Sequence, residues 1–146
     1  MSVTEAQSIL SRSDAETEAA GAALAATLGP GARVLLYGEL GAGKTAFVRG
    51  LAAGLGIDPD EVSSPTFTLV QEYRAGGLPL IHVDLYRLAS SEVDDLGLDA
   101  LAAEGVLAIE WAERMPRPDT GAIEVRLDHA GDDQRRITID AHVRDR

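Results

Sequence analysis

Hydrophobic and polar positions recur along this chain with two periods, and the switches between them outline its elements. Ser13, Asp14, Ala15 and Glu16 have capping-box spacing, and Ala20, Leu24 and Leu28 then recur at helical intervals until Gly29 and Pro30 stop the pattern. An amphipathic helix is predicted there. Val34, Leu35, Leu36 and Tyr37 form a continuous apolar run between turn residues, as expected of a strand covered on both faces. From Lys44, the residues Phe47, Val48, Leu51, Ala52 and Leu55 make a second helical stripe, closed by Gly54 and Gly56. Segments 67–73 and 80–86 are β-prone and flank Gly76 and Gly77, which predicts an antiparallel pair. A further helix is expected over residues 93–103, then a buried strand at 106–109 that ends at Glu110 and Trp111. Ile123, Val125 and Leu127 alternate with polar residues, as do Ile137 and Ile139, and Gly131, Asp132 and Asp133 lie between, so a hairpin is predicted. No repeat or long linker interrupts the series. The expected architecture is three-layered α/β with a mixed parallel and antiparallel sheet, in one domain over residues 1–146.

Composition narrows the class of function. With 45% hydrophobic and 25% charged residues, the 146-residue chain matches soluble globular proteins. Its 13 Lys and Arg against 24 Asp and Glu leave a formal charge of -11, which opposes direct binding to nucleic acid; a nucleic-acid role would need a basic partner. The absence of Cys removes thiol chemistry, disulfides and Cys-ligated zinc, and agrees with a reducing compartment. Neither a secretory signal nor an apolar run of membrane-spanning length is evident, so a cytoplasmic protein without membrane contact is expected.

Residues 38–45 read Gly38, Glu39, Leu40, Gly41, Ala42, Gly43, Lys44 and Thr45, a complete G-x-x-x-x-G-K-[ST] motif between a predicted buried strand and a predicted helix. Glycines let successive amides turn inward toward phosphate oxygens, and the following helix N-terminus favours an anion. The expected nucleotide-binding set is Glu39, Leu40, Gly41, Ala42, Gly43, Lys44, Thr45 and Ala46. Lys44 would reach the β and γ phosphates, and Thr45 would offer its hydroxyl to Mg²⁺. Lys44 is the only lysine in the chain, and every other basic side chain is Arg. A phosphate loop wants a compact ammonium, for which the broad guanidinium fork is a poor substitute. The predicted fold is therefore of the P-loop NTPase type.

A nucleotide hydrolase also needs an acid for Mg²⁺ and a group to position water. Asp84 and Glu110 each end an apolar strand. Asp84 is expected on the metal side, directly or through water, and Glu110 as metal ligand or water-orienting base, although the sequence does not assign the two roles. Ser63, Ser64, Pro65 and Thr66 form a turn-like segment able to bring a hydroxyl near a γ phosphate, with Thr66 as the favoured sensor. Trp111, the only tryptophan, could stack near the nucleotide or simply pack. His82, His129 and His142 lack ligand spacing and read as structural or surface residues. Arg49 and Arg87 could reach phosphate but read first as surface ion-pair partners. A small-molecule P-loop kinase is the main alternative, although an Arg-rich lid is missing and only Arg74 and Arg87 hint at one; a nucleotide-gated binding module is a third.

Taken in order, four strings resemble the TsaE family, the ATPase subunit of bacterial threonylcarbamoyladenosine synthesis in tRNA: residues 38–45, 64–73, 82–88 and 109–111. The resemblance spans most of the chain, and the two middle strings are specific in combination. It implies ATP and Mg²⁺ as ligands and a metal set of Thr45, Asp84 and Glu110. It also implies a catalytic set of Lys44, Thr66, Asp84 and Glu110, with Trp111 beside the nucleotide. It further implies TsaD and TsaB as partners, contact with tRNA only through them, and ATP hydrolysis that is weak alone and raised by partners. Glu39, Ala46 and Ala112 depart from the family's usual Asp, Thr and Pro, and none removes a proposed catalytic group.

Overall fold

The apolar run at 34–37 becomes the central strand of a seven-stranded sheet. The computed structural model describes residues 3–39, 43–62, 70–75, 77–85, 97, 100, 103–115 and 121–143. Along the chain these form β1 (Val3–Ser11), α1 (Asp14–Ala25), β2 (Arg33–Tyr37), α2 (Lys44–Gly54), β3 (Val70–Tyr73), β4 (Leu80–Asp84), β5 (Val106–Glu110), β6 (Ile123–His129) and β7 (Arg135–Val143), with 3₁₀ turns at Pro59–Glu61 and Ala112–Arg114. The sheet order is β1-β7-β6-β2-β5-β4-β3. The four middle strands β6, β2, β5 and β4 run parallel, and β7, β1 and β3 add antiparallel flanks. The mixed α/β sheet expected from the sequence is thus the one observed.

Continuous apolar runs lie where the strands are covered on both sides. Val34, Leu36, Leu80, Val106, Ala108, Val125 and Leu127 face one way and pack with Phe47, Val48, Leu51 and Ala52 of α2 and Ala20 and Ala25 of α1. Leu35, Ile81, Val83, Leu107 and Ile109 face the other way and pack with Leu85, Ala112 and Ala122. Of the helix expected at 93–103, only residues 97, 100 and 103 are among those described, and the 67–69 part of the expected strand is outside them; Val70–Tyr73 pairs with Leu80–Val83 as predicted.

Helix α1 begins with the Ser13 half of its capping box, while the Glu16 side chain reaches one residue past the cap. The Ser13 hydroxyl accepts from the Glu16 amide at 3.1 Å, and Glu16 Oε1 accepts from the Arg12 amide at 2.9 Å. It ends at Ala25, earlier than the Leu24 and Leu28 stripe suggests, because the Thr27 and Leu28 amides tighten onto carbonyls three residues back. The buried positions are small ones, Thr17, Ala20, Gly21 and Ala25, rather than the leucines. Small residues let α1 and α2 approach closely. A Cβ at Gly21 would collide with the Phe47 carbonyl oxygen, and one at Gly50 with the backbone of Glu18.

Strand β1 was not foreseen. Its side chains alternate too weakly to mark a strand, and it exists because β7 offers an antiparallel edge across the whole register from Val3↔Val143 to Ser11↔Arg135.

Candidate functional site

Three elements converge where the glycine-rich loop leaves β2. Gly43 caps α2 with a φ of +99°, a conformation that favours a residue without Cβ, and its carbonyl accepts from the Phe47 amide at 3.0 Å. Lys44 and Thr45 therefore stand in the first turn of α2, whose N-terminal amides and dipole suit an anion. Parallel pairing of β4 with β5 sets Asp84 level with Glu110, each at the carboxyl end of its strand. Ligands commonly occupy that end of an open α/β sheet.

Three side chains of this corner are nearly dry, while Thr45, Asp84 and Trp111 are half-buried. Lys44 is 4% exposed, Glu110 is 3% exposed, and His82, two residues before Asp84 on the same face of β4, is fully buried. Lys44 Nζ folds back across the loop and donates to the Gly38 carbonyl at 2.5 Å. The same ammonium lies 3.3 Å from the centroid of the Trp111 ring, a cation–π contact. Trp111 reaches that position with φ 60° and ψ 44°, left-handed backbone that a bulky residue rarely adopts. Such strain costs of order 1–3 kcal/mol and is found where surrounding structure enforces it, typically at functional sites.

Around Glu110 the contacts are equally specific. Thr45 Oγ1 donates to Glu110 Oε2 at 3.3 Å, and His82 Nε2 lies 2.5 Å from the same oxygen. Glu113, in the 3₁₀ turn after Trp111, accepts from the Gly38 amide at 3.3 Å. Burial pushes the Lys44 ammonium below its ordinary 10.5, while the carboxylates of Glu113, Glu110 and Asp84 oppose that shift. A desolvated cation on a single carbonyl and a ring face is poised to gain from an anion with more acceptor oxygens.

The structure therefore brings Lys44, Thr45, Asp84, Glu110 and Trp111 to one corner. Glu39 is exposed beside it, and Ala46 is buried in the first turn of α2. Leu40, Gly41, Ala42 and Thr66, together with Arg87, lie outside the described residues. Arg49 Nε donates to the Val62 carbonyl at 3.1 Å, tying α2 to the residue before segment 63–69. Arg74 pairs with Glu72, both side chains open to solvent, just past Tyr73, which stands opposite Leu80 at the end of β4 away from Asp84. Two participants were missed by sequence reading. His82 could have been found from the i, i+2 spacing that puts it on the face of Asp84, whereas nothing in the spacing marks Glu113.

A hydroxyl and carboxylates are hard oxygen donors of the kind Mg²⁺ takes. Among the described residues no cluster of three or more His, Cys, Asp or Glu gathers around a point, so an ion here would complete its shell with water and phosphate oxygens. Among the described residues, too, no helix is long and apolar enough to cross a membrane.

Comparison with known proteins gives the chain's family. The family model "Threonylcarbamoyl adenosine biosynthesis protein TsaE" matches residues 11–137. The chain is 45% identical over 131 residues to the tRNA threonylcarbamoyladenosine biosynthesis protein TsaE of Bacillus subtilis (strain 168), covering 86% of this chain and 80% of the relative. It is 44% identical over 135 residues to the protein of that name from Treponema pallidum (strain Nichols), covering 89% and 97%. The crystal structure of Bacillus subtilis YdiB superposes with a TM-score of 0.75 at 37% identity, over 95% of this chain and 87% of that one. With a family match across the glycine-rich loop, both acidic strand ends and β6, this chain belongs to the TsaE family.

Proposed function

We propose that this chain is a Mg²⁺-dependent ATPase that serves threonylcarbamoyladenosine modification of tRNA, acting with TsaB and TsaD subunits. The observation that carries the reading is the Thr45 Oγ1 to Glu110 Oε2 contact, which brings a helix-start hydroxyl and a buried strand-end carboxylate together beside the chain's only lysine. The names of its relatives supply the tRNA pathway.

The residues divide the work by position. Amides at the start of α2 receive the phosphates, and Lys44 exchanges the Gly38 carbonyl for the β and γ oxygens. Thr45 and Glu110, with Asp84 level beside them, are the groups that would hold Mg²⁺. When bound, that ion neutralises charge developing on the transferred phosphoryl group. Glu110 or Asp84 orients the attacking water and takes its proton. Trp111 covers the Lys44 ammonium and keeps bulk water from it. Thr66, on a segment with the composition of a switch loop, senses the γ phosphate. The acidic surface leaves tRNA to the partner subunits.

Phosphate release from Mg-ATP tests this, measured for the chain alone and with TsaB, TsaD and tRNA, with Lys44→Ala as the blank. Slow release alone and a rise with partners is expected, of about 10³–10⁵ if a partner supplies an arginine. No release above the blank in the full assembly would overturn the reading, and phosphoryl transfer to a small acceptor would replace it with a kinase.

A further inference from the structure

We infer that His82 is a positioning residue that holds one oxygen of Glu110 and so leaves the other for the metal. The inference rests on the reading of Glu110 given under the proposed function. His82 sits in the middle of an otherwise apolar strand, Leu80, Ile81, Val83 around it, and is fully buried. An imidazole so placed loses its water on both nitrogens. Its Nε2 meets Glu110 Oε2 at 2.5 Å, while its Nδ1 has no hydrogen-bond partner among the described residues. The ring's polarity is therefore directed to a single acceptor, the site carboxylate, and the neutral Nε2–H tautomer is the one that leaves no donor unpaired.

Local packing makes room for this contact. In the parallel register His82 stands beside Ala108 and Asp84 beside Glu110, so His82 and Glu110 are diagonal neighbours on one face of the sheet. A diagonal pair lies within reach of long side chains, and the small Ala108 between them gives the ring its space. Glu110 Oε2 then receives two donors, Nε2 of His82 and Oγ1 of Thr45, which uses its two lone pairs. Oε1 is the oxygen left for chemistry. Fixing the carboxylate from behind is how partners of metal ligands commonly tune a site.

The test compares His82→Gln with His82→Asn. Glutamine carries its amide nitrogen the same number of bonds from the backbone as Nε2, whereas asparagine matches the unpartnered Nδ1. Mn²⁺ is titrated into the ADP complex of each chain and read by electron paramagnetic resonance, and ADP affinity without divalent ion serves as the measure of general damage. Wild type and His82→Gln should bind Mn²⁺ alike, and His82→Asn should lose about 10–100-fold, with metal-free ADP binding unchanged in all three. Equal Mn²⁺ affinity in all three, or equal loss in both variants, overturns the inference. Should His82→Asn fail to fold, the imidazole ¹H–¹⁵N spectrum of the wild-type chain decides: a proton on Nε2 is required, and its absence overturns the inference. A wild type that binds Mn²⁺–ADP but hydrolyses no ATP in the full assembly sinks the ATPase reading and leaves this comparison standing. A Mn²⁺ affinity unmoved by Glu110→Gln removes the metal role of Glu110 and this inference with it.

Discussion

Replacing Gly50 by Ala should destabilise the protein even though Ala is the better helix former. In an open helix the change would gain about 1 kcal/mol. Here the added Cβ would stand 2.7 Å from the Glu18 carbonyl carbon and 2.9 Å from its Cα, closer still to its oxygen. All three are backbone atoms of α1, so no side-chain rotation relieves the clash, and α1 must move away from α2. Overpacking of this kind costs about 1–3 kcal/mol, and backbone obstacles put it at the upper end, so the net loss should be about 1–2 kcal/mol. For a chain of this length that corresponds to a fall in Tm of about 3–6 °C. Urea unfolding followed by far-ultraviolet circular dichroism measures it. Gly29→Ala is the control: nothing lies within 4 Å of its Cβ position, and loss of unfolded-state freedom there should add about 0.4–1 kcal/mol. Because α2 carries Lys44 and Thr45 in its first turn, Gly50→Ala should also weaken nucleotide binding. A Gly50→Ala chain as stable as the Gly29→Ala chain would show that the two helices do not meet through these glycines.

Two further outcomes follow from the corner around Lys44. Trp111 is the only tryptophan and its ring lies under the Lys44 ammonium, so ADP titration should change its emission as phosphate draws the ammonium away, and Lys44→Ala should abolish that change. The pH dependence has a definite sign. Burial holds the Lys44 value in the folded chain below its ordinary 10.5, so between the two values the unfolded chain binds more protons and stability rises with pH. Relative to Lys44→Met, the nucleotide-free wild type should therefore gain stability as pH climbs through that interval toward 10.5, and a constant difference would contradict the burial argument.

Much of this was legible from the sequence, for physical reasons that differ by element. The strand at 34–37, the loop and the helix after it announce themselves through short-range signals: an apolar run, glycines, then a period near four. The β6–β7 hairpin is equally local, a turn rich in Gly and Asp between alternating strands. What escaped is what depends on registry between distant segments. Strand β1 needs β7 to exist, and the tight α1–α2 crossing appears only when Gly21 and Gly50 are seen facing backbone. The spacing of His82 to Asp84 marks only a shared face; its pairing with Glu110 depends on a parallel register that places Ala108 beside the histidine. The left-handed backbone of Trp111 likewise has no signature in its own residue type.

In the proposed function the buried carboxylate at the end of β5 serves ATP hydrolysis for tRNA modification. That role is tested most directly by Glu110→Gln in a reconstituted assembly with TsaB, TsaD, tRNA and saturating Mg-ATP, scoring threonylcarbamoyladenosine formed alongside ATP binding. With Mg-ATP saturating, the site should be filled as in wild type and modification slowed by about 10²–10⁴-fold, the contribution typical of a positioned acid or base. Normal ATP binding with modification at the wild-type rate would contradict that role.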